Sequence, residues 1–278
     1  MTAVAQRLMD TFLGRSVLRF VRMEGFDRSI VLSSQAFTAL IPLFIIVASA
    51  VPAGREDIIS EALIRRFALT GDSAAAVEQL FRTSPGAASG VTVFSTLLLL
   101  YAGVAFTRRL QRMYRAAWGL PKLSVRSAVF ATLGLLALLV EVAVAYAIRA
   151  IVADWPLDWL WTIPASVATG LVLWTSIPYL LLDRRVPWRR LLVTGAISTS
   201  AMTAFAIATP IYMPAVMTRA TDDFGLFGIT ITLIGYLLAA SFVLVACAAI
   251  GAEHDARDPG APRRESPAEG EPRVALRS

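Results

Sequence analysis

Polar side chains interrupt a long uncharged stretch near the start of the chain. Residues 29–52 contain no ionisable side chain, yet Ser34, Gln35 and Thr38 fall within two helical turns and Pro42 follows them. Polar groups at membrane depth must find hydrogen-bond partners inside the protein, and a proline frees the carbonyl four residues earlier. The pattern therefore predicts a helix that faces other helices and presents one polar wall, which we treat as a candidate substrate path.

A single acidic residue, Glu141, lies near the middle of another apolar stretch, residues 127–153. A charge at the centre of a bilayer costs about 2.5 kcal/mol or more, so we expect this carboxyl to be protonated, paired or in contact with a wet cavity. Two interpretations stay open. Glu141 is a proton- or substrate-binding group in a transport path, or it is a carboxyl that hydroxyl groups of neighbouring helices satisfy.

A third polar feature is the series of hydroxyl groups in residues 191–213, which includes Ser198 and Thr203. Such a stripe lines a polar path, or its small residues let neighbouring helices approach closely.

Sequence signatures of enzymes are missing: there is no glycine-rich phosphate loop, HExxH motif or nucleophile elbow. One cysteine and one histidine supply too few metal ligands. We therefore expect no enzyme activity, no metal and no cofactor.

The elements that must position these residues are transmembrane helices. The chain has 278 residues, of which 56% are hydrophobic and 17% charged, a composition typical of polytopic membrane proteins. Six apolar runs are long enough to cross the ~30 Å hydrocarbon core as helices. They lie at about 29–52, 91–107, 127–153, 159–182, 191–213 and 229–251. The predicted fold class is thus all-α, a bundle of six transmembrane helices.

Charge between the apolar runs indicates the orientation. Of the 26 Lys and Arg residues, 20 lie in the N-terminal segment, in the loops after the second and fourth runs, and in the C-terminal segment. Because basic segments stay in the cytoplasm, we expect both termini there. The net charge of +6 is therefore attributed to membrane orientation, and no nucleic-acid partner is expected.

Three segments outside the runs have patterns of their own. Within residues 1–28, positions 4–21 mix apolar residues at helical spacing with arginines, which favours an amphipathic helix on the membrane surface or a helix packed on the bundle. Residues 53–90 are polar and contain helical patterns, and we expect them to form an extracytoplasmic segment. Residues 252–278 are rich in Pro, Gly, Arg and Glu, which predicts a disordered cytoplasmic tail.

Four stretches resemble the YihY/virulence factor BrkB family of bacterial inner membranes. They are QAFTALIPLFIIVASAVP (35–52), LQRMYRAAWGLPK (110–122), IPYLLLDRRVPWRRLLVTGA (177–196) and FGLFGITITLIGYLLAASFVLVACAAIGAEHDA (224–256). The resemblance covers roughly residues 5–256. Tyr114, Phe224 and Gly235 depart from the residues that are usual in the family, which puts a conserved polar role at Tyr114 in doubt.

The resemblance implies a six-helix inner-membrane protein, and envelope or lipid transport has been proposed for members. We therefore expect a transporter or flippase-like protein for a lipid or amphiphile in envelope maintenance. An alternative is a membrane scaffold that binds an envelope protein through residues 53–90. A nuclease, a label that some relatives once carried, is the least supported hypothesis, because no acidic or histidine metal cluster faces the cytoplasm.

Overall fold

The computed structural model describes residues 11–50, 61, 64–65, 71, 74–75, 89–121 and 158–257. Helices within this part of the chain are α1 (Phe12–Arg22), α2 (Gly25–Ala50), α3 (Ser89–Ala117), α4 (Asp158–Leu181), α5 (Trp188–Phe224) and α6 (Leu226–Asp255). The described residues contain no strand, which confirms the all-α class for them. The predicted third transmembrane helix, with Glu141, lies outside the described residues.

Apolar surface is the dominant feature of the long helices. Three helical stretches, Val93–Ala117, Trp188–Phe224 and Phe227–Asp255, are long and apolar enough to cross a membrane. Only 22–28% of their most apolar windows is buried within the protein, so large side chains such as Phe94, Tyr101 and Ile211 are exposed. Apolar surface on this scale is suited to lipid rather than water. The other predicted spans stay predictions.

Helix α6 is central among the described helices. It packs against α1, α2, α3 and α5, while α4 packs against α5 and α3. The buried hydrophobic cluster lies at one end of this arrangement and includes Tyr114 and Trp118 of α3, Leu182 after α4, and Val245 and Ala248 of α6. The position of the cluster leaves the rest of the bundle with little apolar core of its own in the described residues.

The end of α3 differs from the prediction. The second span was expected to end at residue 107, where the arginines begin, but the helix continues to Ala117. Leu110 and Tyr114 are buried in the cluster, whereas Arg108 and Arg112 are exposed. Spacing of four between the buried residues keeps one face of the helix packed. The first arginine thus marks the end of the apolar stretch rather than the end of the helix.

Helices α5 and α6 also extend beyond their predicted limits. Helix α5 continues past residue 213 to Phe224, because Met213 and Met217, four residues apart, prolong its buried stripe. Helix α6 ends at Asp255 and not at residue 251. Glu253, assigned to the disordered tail by its composition, is therefore a buried helical residue.

Small residues bring α4, α5 and α6 close together. A Cβ atom at Gly195 of α5 would lie 2.0 Å from Thr175 Oγ1 of α4, and one at Gly251 of α6 would lie 2.2 Å from Thr194 Oγ1 of α5. Real atoms do not approach so closely, so each contact needs glycine. At these positions the hydroxyl-rich stripe of α5 serves close helix packing, one of the two interpretations drawn from the sequence.

Replacing Gly251 with alanine tests this packing. We expect Gly251→Ala to destabilise the folded protein by about 1–3 kcal/mol, because the methyl group overpacks the contact with Thr194. The thermal midpoint of the detergent-purified protein measures the effect. Gly235→Ala on the same helix is the control, since no atom lies within 4 Å of the added methyl group. Equal midpoints for the two variants would contradict the proposed contact.

Candidate functional site

Most arginines of the described residues meet at one end of the bundle, which we call the basic end. It comprises α1, the first turn of α2, the last turns of α3, residues 182–190 and the last turns of α6. These are the segments to which the charge pattern assigned a common side. Ion pairs between distant parts of the chain join them, so the basic end is a built structure and not a set of independent loops.

The carboxylate of Glu253 is the principal junction. Arg19 donates from Nε and Nη2 to Glu253 Oε2, each at 3.0 Å, and Arg15 Nε lies 3.3 Å from Oε1. Arg19 also donates from Nη1 to the carbonyl of Ala117 at 2.9 Å. One guanidinium thus ties α1 to α6 and to the end of α3 through charge-assisted hydrogen bonds.

A second junction joins α3 to the end of α4. Arg115 Nη1 lies 2.6 Å from Asp183 Oδ2, and Arg115 Nε donates to the carbonyl of Pro121 at 3.1 Å. Gln111, fully buried, donates to the carbonyl of Leu181 at 3.0 Å. The residues that carry these contacts are themselves fixed by the hydrophobic cluster around Tyr114. The end of α3 is therefore held from both sides.

A cavity of about 480 Å³ opens beside the first junction. Its charged lining consists of Arg15, Arg19, Arg22, Arg28, Glu24 and Glu253. Glu253 is engaged by Arg15 and Arg19. For Arg22 and Arg28, by contrast, the described part of the chain supplies no acidic partner within ion-pair distance. The cavity consequently has a surplus of positive charge.

The helix that forms one wall of the cavity has a second, apolar face. Leu13, Val17 and Val21 of α1 follow one another at intervals of four residues and are 60–71% exposed. The opposite face carries Ser16, which is buried, and the arginine that binds Glu253. Helix α1 therefore packs on the bundle with one side and offers the other to an apolar surface such as lipid. Packing on the bundle, one of the two interpretations of the N-terminal pattern, is thus observed, and a position on the membrane surface stays a prediction.

The residues predicted for the substrate path are found in different environments. Ser34 and Thr38 are exposed, and Thr38 Oγ1 donates to the carbonyl of Ser34 at 2.9 Å. Gln35 is half-buried and Pro42 is buried. A hydroxyl that returns to its own helix, as that of Thr38 does, needs no partner from a neighbouring helix.

On α5 the two predicted path residues differ in the same way. Ser198 is fully buried, whereas Thr203 is exposed. Helices α2 and α5 each pack against α6. Because Glu141 lies outside the described residues, the expected convergence of these groups on one cavity stays a prediction.

Sequence reasoning missed the residues of the basic end as site residues. Arg19 and Arg22 entered it as indicators of orientation and as basic residues of an amphipathic helix, Arg28 entered it as an indicator of orientation, and Glu253 was placed in the tail. A local signal was present, because Arg15, Arg19 and Arg22 recur at helical spacing on one face of α1. Glu253, the partner of Arg15 and Arg19, is 234 residues away from Arg19, and no local pattern points to it.

The all-helical architecture and the unburied apolar helices define a membrane protein. The family model described as Virulence factor BrkB matches residues 16–271, and the chain belongs to this family. This match confirms the resemblance drawn from the four sequence stretches. The comparisons with curated proteins and with solved structures gave no match.

The two arginines that bind Glu253 give a matched test of the junction. Arg19→Ala is expected to cost about 1.5–3 kcal/mol of stability, because it removes charge-assisted hydrogen bonds to Glu253 and to the carbonyl of Ala117. Arg15 is 46% exposed, so Arg15→Ala should cost less than about 1 kcal/mol. Thermal midpoints in detergent measure both changes.

A double-mutant cycle with Glu253→Ala isolates the ion pair. In the Glu253→Ala background, Arg19→Ala should lose much of its effect, since only the bond to the Ala117 carbonyl is left to remove. Equal losses from Arg15→Ala and Arg19→Ala, or full additivity in the cycle, would show that Arg19 does not hold the junction.

Proposed function

We propose that this protein is an inner-membrane transporter or flippase-like protein that moves a lipid or other amphiphile in envelope maintenance. The observation that supports the proposal best is the basic cavity beside helices whose apolar faces are unburied. An amphiphile is the class of molecule whose two parts match these two surfaces. Its charged group suits the arginines, and its chain suits the exposed apolar side chains.

The position of the cavity along the chain supports the same class of substrate. Arg28, which lines the cavity, directly precedes the uncharged residues 29–52. Lipid headgroups occupy the layer next to the hydrocarbon core. A headgroup at this depth would reach the cavity while its chains stay in the bilayer.

The proposed orientation has both termini in the cytoplasm. Basic segments are retained on the cytoplasmic side of bacterial membranes, and the arginine-rich segments meet at one end of the bundle. In support of this, Arg19 pairs with Glu253 and Arg115 pairs with Asp183, which joins segments from both halves of the chain. The cavity is then accessible from the cytoplasmic leaflet.

The proposed route through the bundle uses the polar groups singled out from the sequence. Glu141 is its proposed proton- or substrate-binding group, and Pro42 and Ser198, both buried, are proposed to lie along it. Binding of an envelope protein through residues 53–90 stays a prediction. In that segment Glu61 and Arg65 are helical, and Glu61 Oε2 lies 4.0 Å from Arg65 Nη2. This local contact favours no particular partner.

Reconstitution into liposomes tests the transport function. Vesicles containing the protein should move fluorescent phospholipid analogues between leaflets faster than protein-free vesicles, as measured by quenching of the fluorophore from outside. Glu141→Gln should slow this movement, because it removes the titratable carboxyl while preserving its size. Thr218→Ser, a conservative change at an exposed position outside the proposed route, serves as the control.

Two outcomes would count against the proposal in different ways. Rates no faster than those of protein-free vesicles, for every phospholipid class tested, would reject transport. Rates that are raised by the wild type and by Glu141→Gln to the same extent would remove Glu141 from the route and leave transport itself in place.

A further inference from the structure

We infer that the cavity of the basic end binds a phosphate group, as carried by the headgroup of an anionic phospholipid, with Arg22 and Arg28 as its principal ligands. The inference rests on the proposed function for its biological setting, since it names the chemical class of the amphiphile's charged group. The binding itself follows from the charges that line the cavity and can be measured without transport.

The arginines that line the cavity differ in whether they are available to bind a ligand. Arg19 makes three contacts with Glu253 and the carbonyl of Ala117, and Arg15 lies against the same carboxylate. Their charges are largely matched by Glu253. Arg28 uses its Nε for the carbonyl of Met23, which leaves the guanidinium charge without a carboxylate in the described residues.

Arg22 completes the available pair. It lies in the last turn of α1, is exposed and lines the cavity together with Arg28. Cations at the C-terminal turn of a helix are stabilised locally by the helix dipole, but this does not neutralise their charge for a ligand. Two guanidinium groups that face one cavity are suited to the several acceptor oxygens of a phosphate.

The turn between α1 and α2 brings Arg22 and Arg28 to the same cavity. Helix α1 ends at Arg22 and α2 begins at Gly25, so only a short turn separates them. In this turn Glu24 has φ 55°, a left-handed conformation that few side chains favour. Its carbonyl accepts from Arg28 N at 3.0 Å, which fixes the start of α2. The turn is therefore defined, and it holds the last turn of α1 and the first turn of α2 at one cavity.

The surroundings of the cavity are positively charged. Arg108, Arg109 and Arg112 are exposed on the neighbouring α3, and Arg28 of α2 lies near enough to Arg112 for their positive charges to repel. The repulsion is not relieved by any acidic residue that the structure describes within ion-pair distance of these groups. A bound anion would relieve it, and the cavity volume of about 480 Å³ lies within the usual range for small-molecule sites.

The phosphate group could belong to a lipid or to a soluble anion, and the surroundings of the cavity distinguish the two. Both carry the same phosphate chemistry, but basic pockets between transmembrane helices on the cytoplasmic side commonly bind anionic headgroups. Exposed apolar side chains lie close along the chain to both proposed ligands, Val21 next to Arg22 and Val31 one turn after Arg28, and they give acyl chains a surface that free phosphate has no use for. The lipid is therefore the source that these observations favour.

A binding experiment on the full-length protein tests the inference. Detergent-purified protein is titrated with short-chain phosphatidylglycerol, phosphatidylethanolamine or inorganic phosphate, and dissociation constants are measured by thermophoresis. Phosphatidylglycerol should bind more tightly than phosphatidylethanolamine, whose amine cancels the phosphate charge. Replacing the two proposed ligands, Arg22→Ala with Arg28→Ala, should weaken phosphatidylglycerol binding by about tenfold or more, given the contribution of a basic side chain near anionic lipid.

The control removes the same charge from outside the cavity. Arg185→Ala with Arg189→Ala takes two exposed arginines from the start of α5 and the turn before it, neither of which lines the cavity, and should change the affinity by less than about twofold if the site is local. Arg22→Lys with Arg28→Lys should retain part of the affinity, because lysine keeps the charge but lacks the planar fork of the guanidinium. If the double alanine variant does not fold, the single variants carry the test.

The outcomes separate the alternatives. Equal weakening in the cavity and control variants, or equal binding of the two phospholipids, would overturn the inference. If inorganic phosphate binds as tightly as phosphatidylglycerol and depends on the same arginines, the phosphate site is confirmed with a soluble ligand. Loss of selective binding with transport intact would refute this inference alone, whereas selective binding in a protein that moves no lipid would refute the proposed transport alone.

Discussion

The carboxylate of Glu253 is the contact on which the basic end depends. A carboxylate this buried is costly unless it is paired and hydrogen-bonded, and Arg15 and Arg19 supply both conditions. Because Arg19 also binds the carbonyl of Ala117, the same contact sets the position of α1 relative to α3 and α6. The wall of the cavity, and with it the location of Arg22, follows from this one arrangement.

Four arginines and two glutamates line the cavity, so two positive charges are uncompensated, and this has an energetic meaning. Surface arginines usually cost little, since water and salt screen them. Here Arg28 lies at the start of an uncharged membrane stretch and near other positive charges of α3. Stability alone gives no reason to gather like charges at this place. An anion that binds there, or the negative surface of a membrane, provides one.

The length of the uncharged, apolar runs allowed the helices to be predicted from the sequence, but it did not give all of their ends. The stretches around α2, α4, α5 and α6 were recognised because uncharged runs long enough to span a bilayer are rare in soluble chains. The limits of these runs were set where charge begins, which gave α4 to within one residue, whereas the structure continues α3, α5 and α6 as long as one face remains packed. Arg108 and Glu253 show both sides of this: the first is exposed on a helix that continues, and the second is buried in a helix end that composition assigns to a tail. The ion pair of Arg19 with Glu253 depends on tertiary structure, and the meeting of the predicted path residues depends on Glu141, which lies outside the described residues.

The two halves of the described bundle are held together by different forces, and this bears on how a transporter of this design would work. Helices α4, α5 and α6 meet through glycine contacts at Gly195 and Gly251, where even a methyl group does not fit. Such contacts are lost abruptly when helices separate and tolerate little sliding. Helix α1 is attached to α6, and through Arg19 to the end of α3, by ion pairs and hydrogen bonds of long side chains, which can exchange partners over several ångströms. An anion bound by Arg22 and Arg28 would lie beside these contacts in the same cavity. For a protein that moves an anionic amphiphile, the rearrangement would therefore begin at α1, while α4, α5 and α6 remain together as the fixed part.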